Sequence, residues 1–195
     1  MKIFDLYETK EIKVVDAGLK KYINFDEKLV LKSHGRRREK FGMQQVNIIE
    51  RLASYLGVPG HRGKKHKIQT SWASGKYNKH MKIVLKALEI IEEKTKQNPV
   101  QVLVKAVENA SPCEEITTIE YGGARYPQAV DMSPMRRISF ALRNLVHGAY
   151  DKSFGKKPKI ESTLALEIIK ASEGNNEAAA IQKKIEAEKQ ADSAR

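Results

Sequence analysis

The chain has 195 residues, of which 41% are hydrophobic and 31% charged, with a formal net charge of +12 and one cysteine. That length gives one domain with room for arms or tails. A lone thiol, Cys113, excludes an internal disulfide and fits a reducing cytoplasm, and no apolar run nears the ~20 residues that a membrane-spanning helix needs.

Residues 1–40 mix both charge signs with weak periodicity and predict an extended or loosely helical arm. Asp5 and Glu8 interrupt what would have to be the apolar part of a secretory leader, so none is expected. The arm ends in the basic run Lys32-Ser33-His34-Gly35-Arg36-Arg37-Arg38. From about Gln44 to Leu56, Val46, Ile49, Leu52, Ala53 and Leu56 recur at helical spacing. Gly57, Pro59, Gly60 and Gly63 stop that helix.

Residues 60–77 predict a basic loop. A second helix starts near Asn78, with Met81, Val84, Leu85, Leu88 and Ile91 on one face. Asn98-Pro99 then opens a third, Asn as cap and Pro at the first helical position, with Val100, Leu103, Val104 and Val107 inward. Three helices with short connections imply a bundle. Pro112 and Cys113 close that region.

The texture then changes. Residues 114–132 place Thr, Ile and Tyr on either side of Gly122-Gly123, the composition of two strands joined by a two-residue turn. With few large apolar residues, this hairpin is expected to project from the helices. Ser133-Pro134 repeats the cap-and-proline signal ahead of a helix from Met135 to about Tyr150. One side gathers Met135, Ile138, Leu142, Leu145, Val146 and Ala149; the other presents Arg136, Arg143 and His147, with Arg137 and Asn144 beside them. A further helix from about Glu161 to Ser172 turns Leu164, Ala165, Ile168 and Ile169 inward and has Gly174 placed for its C-terminal cap. The C-terminal helix, 176–195, carries only a thin apolar stripe of Ala178, Ile181 and Ile185, and is expected to be frayed or partner-dependent. The fold class is therefore mainly α, a bundle of about six helices with a protruding β-hairpin near residues 114–132. The organisation is an arm, 1–40, followed by a single helical domain, 41–195.

Charge is segregated along this plan. Between Glu50 and Glu89 no position is acidic, yet Arg51, Arg62, Lys64, Lys65, Lys67, Lys76, Lys79, Lys82 and Lys86 are basic. Residues 135–160 hold a further +6, while 89–134 sum to −4. A surface kept soluble by charge alone usually mixes the signs. An acid-free basic block instead fits a nucleic-acid backbone, whose counterions Lys and Arg displace. His66, Trp72 and Tyr77 sit among these cations with the option of stacking on bases, as Tyr121, Arg125 and Tyr126 do at the hairpin tip. No acid lies between Ser133 and Tyr150, so the arginines there lack partners on their own helix, and Arg136 and Arg137 oppose the helix macrodipole. Phosphate suits that arrangement.

Chemistry finds little purchase. His61, His66 and His80 lack zinc-site spacing, one cysteine makes no metal ribbon, and neither phosphate-loop motif is present. No catalytic residue, metal or cofactor is expected. Cys113 reads as a structural thiol.

The segment Gln101 to Asn109 (QVLVKAVEN), the Gly122-Gly123 hairpin, and Tyr126 to Arg137 (YPQAVDMSPMRR) together resemble the small-subunit ribosomal protein seven family. The arm around Leu19-Lys20-Lys21-Tyr22-Ile23 and the tail from Ala179 to Arg195 look like its archaeal-eukaryotic branch. The resemblance implies a helical protein with a projecting hairpin on a cytoplasmic ribosome. It implies primary binding to the 3′ major domain of small-subunit rRNA, nucleation of head assembly, and a position at the subunit interface near the messenger exit and exit-site tRNA. Neighbouring head and platform proteins would be its other partners, with no membrane or small-molecule substrate. RNA contact is implied for Arg36, Arg37, Arg38, Arg125, Arg136, Arg137 and Arg143. Charge alone adds Arg62, Lys64, Lys65, Lys67, Lys76 and Lys79, and tip exposure adds Tyr126. In contrast to the bacterial pattern, the Arg36 run follows a long arm, and the 60–77 loop is longer and more basic. A non-ribosomal RNA- or DNA-binding factor and an RNA-processing enzyme are the alternatives that the residues leave open.

Overall fold

The computed structural model describes residues 2–4, 6–9, 11–27, 40–57 and 75–195, and the backbone alone of 61–62 and 68–69. Among these, seven α-helices and two small antiparallel sheets follow in the order α1 (Ala17–Lys20), α2 (Ile48–Leu56), β1 (His61–Arg62), β2 (Ile68–Gln69), α3 (Tyr77–Thr95), α4 (Pro99–Ala110), β3 (Glu114–Tyr121), β4 (Ala124–Asp131), α5 (Pro134–Ser153), α6 (Ile160–Ser172) and α7 (Ala179–Asp192). A 3₁₀ turn, Gly42–Gln45, precedes α2 and takes the first residues of the helix expected from Gln44.

The bundle is built around α6, which packs on α3, α4, α5 and α7. The apolar stripes meet there: Leu52 and Leu56 of α2, Val84 and Leu88 of α3, Leu103 and Val107 of α4, Leu142 and Leu145 of α5, and Leu164 and Ile168 of α6 are fully buried. Burying such a side chain stabilises a fold by roughly 1.5–3 kcal/mol.

Helix ends follow local chemistry. The Asn98 carboxamide accepts a hydrogen bond from the Val100 amide at 3.0 Å, with Pro99 in the first turn of α4. At the other end of α6, Gly174 adopts a positive φ of 72°. Its amide donates to the Ala171 carbonyl while that of Asn175 reaches Lys170, a double closure that a residue without Cβ permits. Ser133 does not cap α5 with its side chain; Pro134 alone sets the first turn.

The first 27 residues are more than an appendage. Ile3, Tyr7, Leu19 and Ile23 are buried in the common core. The Gln101 carboxamide pairs with both the amide and the carbonyl of Lys13, and Glu108 accepts from the amides of Val15 and Asp16. Further along, Ile48 donates to the Asn24 carbonyl, so this segment also covers the start of α2.

The C-terminal helix is packed rather than frayed. Ala178, Ala180, Ile181 and Ala191 are buried, and α7 lies on α5 and against the root of β3. Polar links also hold it: Lys184 donates to the Asn109 carbonyl, Glu188 accepts from the Cys113 amide, and Arg195 pairs with Glu114. The close approach to α5 depends on Gly148. A Cβ there would sit 2.7 Å from the Ala179 methyl and 2.9 Å from the Glu167 carboxylate. Glu167 is itself fully buried, neutralised by Lys152 and accepting from the Ala179 amide. Gly148→Ala is therefore expected to lower stability by about 1–3 kcal/mol through overpacking, measured by urea unfolding.

Candidate nucleic-acid interface

The hairpin stands clear of the bundle from Thr117 to Gln128, every residue of which is exposed. Its turn needs φ above zero at both central positions, and Gly122 and Gly123 supply 56° and 83°. Register pairs Ile119 with Tyr126 and Tyr121 with Ala124, so Ile119, Tyr121 and Tyr126 share one face near the tip. Tyr121 is 79% exposed and Tyr126 59%. Glu120 and Arg125 pair across the other face, 3.8 Å apart. The tip therefore offers flat aromatic surface on one side and a partly compensated guanidinium on the other.

On α5 the two arginines of the first turn have different surroundings. Arg136 is exposed and meets Glu115 of β3 at 2.5 Å. Arg137 is only 14% exposed; it donates Nε to the Pro112 carbonyl and Nη2 to the Asp16 carboxylate at 2.7 Å. The acids missing from their own helix are thus supplied by the hairpin root and by the arm. Arg137 fastens the fold, with its Nε and Nη2 already engaged by these two acceptors. Arg143, further along α5, is exposed and forms no ion pair among the described residues. His147 is half-buried.

Helix α3 carries an exposed row of Lys79, Lys82 and Lys86 behind Lys76, which precedes the helix and is also exposed. Tyr77 packs against the core and not outward. Lys156, Lys157 and Lys159 are exposed in the loop before α6. Sequence patterning alone undervalues Lys82, Lys86 and these three lysines, although Lys82 and Lys86 lie opposite an apolar stripe. Conversely, Arg51 belongs to the basic block by sequence but is fully buried in α2, where its Nη1 donates to the Tyr22 carbonyl at 2.8 Å. Burial pushes its pKa down, and it contributes nothing to the outer surface.

Arg36, Arg37, Arg38, Lys64, Lys65 and Lys67, with His66 and Trp72, fall outside the described residues. Arg62 lies in β1, paired with Ile68; its side chain is not among those described. Among the described residues, no group of three or more His, Cys, Asp or Glu side chains is placed to hold a metal ion. The surface accordingly offers cations and aromatic faces.

Arg137→Gln is expected to cost about 2 kcal/mol in urea unfolding and to expose the arm to limited proteolysis, because it leaves Asp16 and the Pro112 carbonyl without their donor. Arg143→Gln should change stability by less than about 0.5 kcal/mol.

The family model described as ribosomal protein S7p/S5e matches residues 20–195. Among curated proteins, the chain is 49% identical to small ribosomal subunit protein uS7 of Nanoarchaeum equitans, covering 100% of this chain and 99% of that protein. It is 46% identical to uS7 of Methanothermobacter thermautotrophicus, over 98% of each, and 43% identical to uS7 of Methanosphaera stadtmanae, over 99% of this chain and 98% of the relative. Residues 1–19 lie outside the family model yet fall within the span shared with the Nanoarchaeum equitans protein. With both its helical core and its hairpin inside the matched span, the chain belongs to the ribosomal protein S7p/S5e family.

Proposed function

We propose that the chain is a structural constituent of the small ribosomal subunit, a non-enzymatic protein that binds folded rRNA by neutralising phosphates and fitting the RNA's shape. The observation that carries this reading is that exposed cations, uninterrupted by acids on the first half of α3 and clustered before α6, occur in a chain matched end to end by uS7 proteins. Each phosphate neutralised releases counterions, so the affinity is electrostatic in origin and salt-sensitive.

The RNA site in this reading is the 3′ major domain, and binding there starts assembly of the subunit head. Lys76, Lys79, Lys82 and Lys86 at α3, Arg136 and Arg143 of α5, and the lysines before α6 supply cations from the described surface. Arg36, Arg37, Arg38, Arg62, Lys64, Lys65 and Lys67 add charge from their own segments. Arg136, the exposed member of its pair, reaches phosphate by exchanging the half-buried Glu115 for it. The projecting hairpin, with Tyr121, Arg125 and Tyr126 at its tip, extends toward the messenger exit and exit-site tRNA. Head and platform proteins are its neighbours.

The test is equilibrium binding to a transcript of the 3′ major domain across a salt series. Arg136→Gln with Arg143→Gln is expected to weaken binding and to reduce the salt slope by roughly one for each phosphate left unneutralised. Unchanged affinity and slope in that double variant would remove the α5 face from the RNA surface.

A further inference from the structure

The exposed face of α3 changes sign halfway along. Lys79, Lys82 and Lys86 occupy its first half, Glu89, Glu92 and Glu93 most of its second, with Lys94 also exposed in the last turn. Both placements oppose the helix macrodipole, which favours anions at the N-terminal end and cations at the C-terminal end. A polyanion relieves the first half. The second half calls for a cation, and there the surface is concave.

The arm crosses the α3–α4 junction and borders a shallow, open cleft of about 690 Å³. Glu8, which pairs with Lys2 at 3.8 Å, and Glu11 line it from the arm, and Glu89, Glu92 and Glu93 from α3; among the described lining residues Lys96 is the one cation. Tyr7, 6% exposed, also lines it, and its side chain forms no hydrogen bond among the described residues. Burial first, then Glu92 and Glu89, push its phenol up to about 12, so the hydroxyl stays neutral and able to accept. Leu6, 57% exposed, provides apolar wall, with the buried Pro99 behind it.

These groups select among ligands. Phosphate is repelled by a net charge of this sign. A single metal ion does not fit, since no three of the carboxylates are placed to share one among the described residues. Carboxylates spread along a groove, with apolar wall for methylene stems, match several Lys or Arg side chains in series. We propose that this cleft docks an extended Lys- or Arg-rich segment of a neighbouring protein, its stems along Leu6 and its cationic heads among Glu89, Glu92, Glu93 and the Tyr7 hydroxyl. The proposal concerns a surface separate from the RNA-binding one.

The full-length protein and a short labelled peptide alternating Arg and Gly provide the test, by fluorescence anisotropy. The triple variant Glu89→Gln, Glu92→Gln, Glu93→Gln is expected to bind the peptide about tenfold more weakly, as loss of three exposed charge pairs predicts. A control with the same change in charge, Glu173→Gln, Glu186→Gln, Asp192→Asn, should weaken it by less than about twofold. Tyr7→Phe, which keeps every charge, should weaken it measurably, and amide NMR shifts should cluster on Leu6–Glu11 and Glu89–Pro99. Equal losses in the two triple variants would overturn the proposal, since they would show only general attraction to an acidic surface. So would a wild-type protein that binds the peptide no better than the cleft variant, as when a segment of its own chain fills the groove. Affinity of the cleft variant for the 3′ major domain transcript, expected to be undiminished, separates failure here from failure of the RNA reading.

Discussion

One guanidinium joins three parts of the chain that lie far apart in sequence. From the first turn of α5, Arg137 holds the carboxylate of Asp16 and the carbonyl of Pro112. Asp16 in turn caps α1 by accepting from the Gly18 amide. Pro112 is the last buried residue before the hairpin, so the same side chain fixes where β3 leaves the bundle. Arginine suits the task because its planar fork serves two acceptors at once and stays charged when largely buried. The hairpin's direction, the arm's path and the start of α5 are thereby set together.

Electrostatics divides the surface that this framework holds out. Glu115 and Glu120 shadow Arg136 and Arg125 at the hairpin, Glu114 binds Arg195 at its root, and Glu167 neutralises Lys152 within the bundle. The lysine row of α3 and the loop before α6 are where cations are presented without interleaved acids. The Glu120–Arg125 pair is exposed on both sides and contributes little to stability, whereas Glu115 holds Arg136 from a half-buried position. A partner with denser negative charge can displace both glutamates.

Most of the helical plan was legible because buried helices repeat their apolar residues at a period that nothing else mimics. The stripes on α3, α4, α5 and α6 are largely core, and the Gly122-Gly123 turn follows from backbone sterics alone. What the sequence concealed has physical causes. Ile3, Tyr7, Leu19 and Ile23 are buried without periodicity, because a segment of turns and the single helical turn α1 inserts isolated side chains into the core. Arg51 has the look of surface charge, but α2 is covered by α3, by α5 and by the arm, leaving seven of its nine residues buried. Arg137 resembles Arg136 and Arg143 in sequence because an ion pair that spans 121 positions leaves no local trace. Packing of α7 was equally hidden: its thin stripe suffices because Gly148 lets α5 approach.

The arm's contacts carry a consequence for biosynthesis. Lys13 waits for Gln101, 88 residues later, Val15 for Glu108, 93 residues later, and Asp16 for Arg137. The arm is therefore made well before the helices that give it its place. Until α4 and α5 have been made, Ile3, Tyr7 and Leu19 lack much of the core they pack on, and the loop closure that unites them comes late and slowly. During that interval the nascent arm exposes apolar side chains between charges of both signs, which favours early shielding by a chaperone.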